Sequence, residues 1–220
     1  MEFGSFKEMI SVIRSEQQRR ASLLNDQDPS AIDQWMYEDR PFVNELCLIL
    51  LVALWHQVER EVVGLAARAW DDTAKISRQQ YEGNREKVQD ILRSEKKGWK
   101  AIGAKLELQS CDGYGPLKDV LRLLANSYKH DPSTRAVQKL LKNLSLDTTL
   151  KYASLPESDG VREGFATLIG LGKDADYCDI AEKFVDIANI FLVCVAEKNR
   201  TRLSQVIPNR VSFLPKDFLH

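Results

Sequence analysis

The 220-residue chain lacks most of the short motifs that identify enzymes and metal proteins in a sequence. Its four cysteines, at positions 47, 111, 178 and 194, form no C-x-x-C pair and lie at no zinc-finger spacing from a histidine. It has no phosphate-binding loop, no nucleophile elbow and no H-E-x-x-H sequence. These absences argue against the enzyme classes that such motifs define, and we predict neither a cofactor nor a metal.

Long apolar runs and targeting signals are absent as well. The strongest apolar run, FVNELCLILLVALW, is too short and too interrupted by polar residues to span a bilayer. The first residues, MEFGSFKEMI, contain no apolar segment of the kind found in signal peptides. Three of the cysteines lie in apolar runs, where a reduced thiol behaves as a small hydrophobic group. We therefore expect a cytoplasmic protein that does not contact the membrane.

Helical periodicity dominates what is present. Hydrophobic residues make up 44% of the chain and charged residues 29%, at spacings typical of helices and without the alternation of strands. We predict a single all-α domain, a helical bundle over 6–200 with a tail at 201–220 and a loop-rich insertion at 145–175. The predicted helices lie at 6–24, 41–70, 85–106, 117–130 and 176–198, with shorter ones near 32–36 and 133–143.

Two helix faces carry further predictions. In the final helix the apolar positions 177, 181, 184, 188, 191 and 195 follow a heptad-like seam, which packs either in the core or between two subunits. In the long second helix His56 maps to the same side as Phe42, Ile49 and Ala53, which predicts an interior histidine with a hydrogen-bond partner.

Positive charge is concentrated in the middle of the chain. The net charge of −1 argues against a general polyanion binder. However, residues 75–105 contain nine Lys or Arg against four Asp or Glu, and residues 118–142 contain six against two. Such segments could attract an anionic ligand, or they could be solvated helix faces.

One helix combines this charge with a histidine. Because an α-helix turns by about 100° per residue, Arg122, Asn126, Lys129 and His130 share one face of the helix predicted at 117–130. The opposite face carries an apolar stripe at 117, 120, 121, 124 and 128. A histidine can exchange a proton near neutral pH, and cations beside it could bind a phosphate and stabilise charge that develops there. This set suits metal-free RNA cleavage by the 2′-hydroxyl, with His130 as general base or acid.

The stretch LRLLANSYKHD resembles the motif helix of the HEPN superfamily, whose motif is often written R-N-x-x-x-H. Asn126 and His130 match the Asn and His of that pattern, while Ala125 stands at the Arg position and Arg122 lies one helical turn earlier. Lys129 precedes His130, as in related sequences that carry N-x-x-K-H. HEPN domains are small helical domains, often dimeric, and many are RNA-cleaving toxins or defence proteins.

The resemblance implies a homodimer in which two motif helices face each other across a cleft that accepts RNA. It assigns catalytic roles to His130, Arg122 and Asn126, and RNA binding to Lys129 and Arg122. It also implies an antitoxin protein as a partner in a bacterial toxin or phage-defence system. The alternative is a non-enzymatic helical interaction module whose polar face is only solvated.

Overall fold

The computed structural model describes residues 3–22, 29–34, 40–71, 73–94, 98–129 and 177–207. Of these residues 83% are helical, which confirms the predicted all-α fold. The elements are α1 (Gly4–Ser22), α2 (Pro29–Gln34), α3 (Arg40–Arg68), β1 (Lys75–Ser77), α4 (Arg78–Ser94), α5 (Gly98–Lys105), a 3₁₀ turn (Leu108–Ser110), α6 (Tyr114–Pro116), a π-helical segment (Leu117–Leu121), α7 (Arg122–Lys129), α8 (Tyr177–Lys198) and β2 (Gln205–Ile207).

The contacts divide the chain into two compact units, 1–59 with 110–194 and 60–109 with 195–220. In the first unit the core is built from residues 40–59 of α3, 177–194 of α8 and 117–125. Within α3, Leu48, Leu51 and Leu54 are almost completely buried. The heptad-like positions of α8 are all buried, which confirms the interpretation of that seam as core packing. The prediction of a single domain over 1–220 stays a prediction.

Ion pairs on the surface of the first unit join α1 to α8. The Lys7 Nζ lies 2.6 Å from the Asp186 Oδ1. The Arg14 Nη2 lies 2.8 Å from the Asp179 Oδ1 and 3.1 Å from the Glu182 Oε2. Because these groups are about half exposed, each pair contributes little to stability, and the pairs mainly fix how the two helices are aligned.

The second unit contains a small parallel sheet that the sequence analysis did not predict. Strand β1 pairs with β2 in the register Lys75 to Gln205, Ile76 to Val206 and Ser77 to Ile207. Three-residue strands are too short for an alternating pattern to be recognised, which explains why periodicity missed them. Ile76 is buried, so the sheet contributes one side chain to the core of this unit.

The helix predicted at 85–106 is wrong in its bounds. The structure has two helices there, α4 from Arg78 to Ser94 and α5 from Gly98 to Lys105. Helix α4 begins seven residues before the predicted start at 85, because Ser77 and Gln80 form a capping box. The Ser77 N–H donates to the Gln80 Oε1 at 2.8 Å, and the Gln80 N–H donates to the Ser77 Oγ at 3.1 Å.

The other predicted bounds agree with α1, α3 and α8 to within about two residues. The short helix expected near 32–36 is present as Pro29–Gln34. The helix predicted at 133–143, the loop-rich insertion at 145–175 and most of the tail lie outside the described residues. In the part of the chain that the structure describes, no helix has both the length and the apolar character needed to cross a bilayer.

The prediction of an interior His56 is wrong. Its side chain is 39% exposed, and its Nδ1 lies 3.4 Å from the Glu59 Oε2. Phe42 and Ile49, on the same side of α3, are each 47% exposed. The run from 46 to 55 is apolar on nearly every side, so the sequence offers no contrast by which the buried side could be recognised.

Candidate functional site

Three residues of the predicted motif, Arg122, Asn126 and Lys129, lie on a helix that runs from 114 to 129, which we call the site helix. It comprises α6, the π-helical segment and α7. It begins at Tyr114 rather than at 117, because Gly113 precedes it in the left-handed conformation, with φ 81° and ψ −9°. The Tyr114 N–H donates to the Cys111 carbonyl at 3.2 Å, and the Leu117 N–H donates to the Gly113 carbonyl at 3.2 Å.

The start of the site helix is held closely against α8. A Cβ atom added to Gly113 would lie 3.0 Å from both the Ile187 Cγ2 and the Ile187 carbonyl oxygen. The ring of Tyr114 stacks on Phe191 with 6.1 Å between centroids and an interplanar angle of 29°. Glycine is required at 113 by its positive φ and by this close approach. These contacts fix the position of the helix that carries the candidate site.

Charged groups surround the hydroxyl-bearing ring of Tyr114. The Lys118 Nζ lies 5.4 Å from the ring centroid and 3.9 Å from the Asp119 Oδ1. Burial raises the pKa of the Tyr114 hydroxyl, the negative charge of Asp119 raises it further, and the positive charge of Arg122 opposes the rise. Asp119 and Arg122 therefore lie close enough to the Tyr114 hydroxyl to influence it electrostatically.

The π-helical segment lies directly before Arg122. The Arg122 N–H donates to the carbonyl of Leu117, five residues earlier, instead of the usual four. Leu117, Val120 and Leu121 in this segment are buried. A π-helical turn accommodates one additional residue. The helix faces that the sequence analysis assigned from a uniform rotation of 100° per residue are therefore shifted for every residue after this segment.

The effect of this shift is visible in α7. Leu124 is buried as the predicted apolar stripe requires, and Leu123 and Ala125 are buried as well. The core-facing side of the helix is therefore wider than predicted. Ala125, which stands at the Arg position of the HEPN pattern, has no exposed surface.

Of the four predicted site residues, the structure brings together Arg122 and Asn126. Both are half-buried, and their four-residue separation places them on one face of α7. The Arg122 Nε donates to the main-chain carbonyl of Lys118 at 3.1 Å, which fixes the direction of the guanidinium group. Lys129 is the last residue of α7, but its side chain and the whole of His130 lie outside the described residues.

The sequence analysis did not single out Lys118. Its main-chain carbonyl accepts the hydrogen bond from the Arg122 Nε, and its Nζ lies near the Tyr114 ring and Asp119. The four-residue separation of 118 and 122 was the signal by which this neighbour of Arg122 could have been found. Within the described ranges, no group of three or more His, Cys, Asp or Glu side chains is arranged to hold a metal ion.

Comparisons with known proteins do not add to this description. No family model, no curated protein and no solved structure matches the chain. The fold is therefore described as an all-α helical fold, and the chemistry of the site rests on the residues themselves.

Proposed function

We propose that the site helix binds the phosphate groups of RNA and that the protein cleaves the RNA without a metal. The observation that carries the proposal is the π-helical segment Leu117–Leu121 next to the half-buried Arg122 and Asn126. Interruptions of this kind occur frequently at functional sites, because they reorient the side chains that follow. The resemblance of LRLLANSYKHD to the HEPN motif helix supports the same function.

Each residue has a defined role in this proposal. The guanidinium of Arg122, with its Nε donating to the Lys118 carbonyl, presents its remaining N–H groups to a phosphate oxygen. Asn126 orients the phosphate or a ribose hydroxyl. His130 removes the proton from the attacking 2′-hydroxyl or protonates the leaving oxygen, and Lys129 stabilises the charge on the phosphate.

A homodimer completes the proposed site. One exposed cation binds an anion weakly, since an exposed ion pair contributes only about 0–1 kcal/mol. Two site helices facing each other would double the number of cations around the RNA and form a groove. A dimer should be detected by sedimentation equilibrium at tens of micromolar protein, on the order of the dissociation constants of weak dimers. A bacterial toxin or phage-defence system, with an antitoxin as partner, is the setting that the resemblance suggests.

The direct test is an RNA-degradation assay in the presence of EDTA. We expect cleavage by the wild type and by Arg60→Ala, a control that removes an exposed arginine of α3. His130→Ala should abolish cleavage with little loss of binding, whereas Arg122→Ala should weaken binding more than His130→Ala does. If neither substitution changes RNA binding or cleavage, the cluster is only a solvated face and the proposal is refuted.

A second candidate function is supported by apolar residues on the surface. Phe42 and Ile49 on α3, and Ile190 and Val193 on α8, are between 47% and 55% exposed. Large exposed apolar side chains are typical of surfaces that bind other proteins when they are contiguous. If the protein binds no RNA, and if Ile190→Asp abolishes its self-association, the result favours a helical interaction module.

A further inference from the structure

Two buried cysteines lie side by side in the first unit, although 131 residues separate them in the chain. The Cys47 Sγ on α3 and the Cys178 Sγ on α8 are 3.6 Å apart, and neither residue has any exposed surface. The Cys178 Sγ also lies 3.7 Å from the Gln17 Oε1 on α1. Three helices therefore meet at this pair of thiols.

We propose that Cys47 and Cys178 form an oxidisable dithiol that is converted to an intramolecular disulfide by a peroxide. This inference goes beyond the proposed function and does not depend on it. A disulfide requires about 2.05 Å between sulfur atoms. The two sulfurs therefore need to approach by about 1.5 Å, which side-chain rotation with a small displacement of the helices can supply.

The chemistry requires one molecule of hydrogen peroxide per disulfide. One thiolate attacks a peroxide oxygen, the O–O bond breaks, and a sulfenic acid and hydroxide are formed. The second thiol then attacks the sulfenic sulfur, the S–O bond breaks, and the S–S bond forms. Two thiols lose two electrons and two protons in total, and the peroxide is reduced to two molecules of water.

Burial determines which oxidants can react. Because both sulfurs are shielded from solvent, oxidation requires a local opening of the fold, and small hydrogen peroxide should therefore oxidise the pair faster than a bulky disulfide reagent does. Cys178 is the second residue of α8, and Arg14 on α1 forms ion pairs with Asp179 and Glu182 near the start of that helix.

The disulfide would connect α3 to the first turn of α8 and close a loop of about 131 residues. A cross-link that closes so long a loop restricts the unfolded chain strongly. The oxidised protein should therefore unfold at a temperature roughly 10 °C higher than the reduced protein. The change is reversible, because dithiothreitol restores both thiols.

The experiment treats the folded wild-type protein with hydrogen peroxide, removes the reagent, and alkylates the remaining thiols after unfolding. We expect two of the four thiols to be lost, with a mass decrease of about 2 Da before alkylation, as loss of two hydrogens requires. Mass spectrometry of a non-reduced digest should identify a peptide pair that joins Cys47 to Cys178. Dithiothreitol should separate that pair.

The controls use the other two cysteines. The cross-link should be unchanged in Cys111→Ser and in Cys194→Ser. The first variant replaces a buried cysteine and the second a half-buried one. Cys178→Ser should abolish it, and circular dichroism at 222 nm should show that the variant remains folded. The proposal is refuted if the wild type retains four thiols, or if peroxide produces only sulfinic acids or a link that involves Cys111 or Cys194. Because the wild type gives the decisive peptide, the test does not depend on the folding of any variant.

Discussion

Gly113→Ala should destabilise the protein although it adds only one methyl group. Position 113 has φ +81°, and an L-residue in the left-handed region costs about 1–2 kcal/mol relative to glycine. The new Cβ would also lie 3.0 Å from the Ile187 carbonyl oxygen, and displacing a backbone atom in a packed core costs about 1–3 kcal/mol. Together these effects lower the free energy of unfolding by about 2–5 kcal/mol.

Gly115→Ala is the matched control, two residues further along the chain. A Cβ at Gly115 meets nothing within 4 Å, and the residue is exposed. The gain in helix propensity from alanine, about 0.5–1 kcal/mol, is partly offset because Pro116 disfavours a helical residue before it. We therefore expect the stability of Gly115→Ala to stay within about 1 kcal/mol of the wild type.

Thermal and urea unfolding followed by circular dichroism at 222 nm measure the difference. For a chain of this length, about 2–5 kcal/mol corresponds to a decrease in Tm of roughly 4–20 °C. The reasoning is refuted if Gly113→Ala unfolds within experimental error of Gly115→Ala, since the left-handed start and the contact with α8 would then be absent. RNA binding by Gly113→Ala should weaken as well, because the substitution displaces the helix that carries Arg122.

Three further predictions concern other parts of the molecule. Gly98→Ala should lower the free energy of unfolding by about 3 kcal/mol or more, because its Cβ would collide with the Ile91 carbonyl oxygen. Gly83→Ala, in open space within α4, should raise the free energy of unfolding by about 0.5–1 kcal/mol. Equal urea midpoints of the two variants would contradict this. In an NMR titration Glu16 should show a pKa of about 2, because hydrogen bonds from Arg19 and Arg20 favour its carboxylate. Its contribution to stability should be complete above pH 4.5 and be lost as the pH falls towards 2; a midpoint near 4.5 would exclude these bonds. Ala125→Arg, which places an Arg at that position of the HEPN pattern, should lower stability by about 3–5 kcal/mol because it buries an unpaired charge; a gain of RNA cleavage at unchanged stability would contradict the burial of that position.

The parts of the fold that are encoded locally could be predicted from the sequence. Periodicity located α1, α3 and α8, and the buried seam of α8 follows its heptad-like spacing. The capping box of Ser77 and Gln80 is also local, so the start of α4 was readable from the sequence SRQQ, although periodicity alone placed it seven residues late.

Features that depend on distant contacts could not be predicted. The pairing of β1 with β2 and the contact between Cys47 and Cys178 join segments that lie about 130 residues apart in each case. The exposed side of α3 is equally unreadable, because a run that is apolar all round does not indicate which side its neighbours cover. For the candidate site, the shared face of Arg122 and Asn126 followed from their spacing. The π-helical segment before them did not, because it has no sequence signature.

Arg122, on the site helix, is proposed to bind the phosphates of RNA. The measurement that tests it most directly is the affinity for a labelled single-stranded RNA, by fluorescence anisotropy, at several salt concentrations. For single strands each phosphate contact contributes about 0.7 to the slope of log affinity against log salt. We predict salt-dependent binding by the wild type, and a weaker affinity with a slope smaller by about 0.7 for Arg122→Ala. Arg60→Ala should match the wild type. The claim is contradicted if the wild type shows no salt-dependent binding, or if all three proteins give the same affinity and slope.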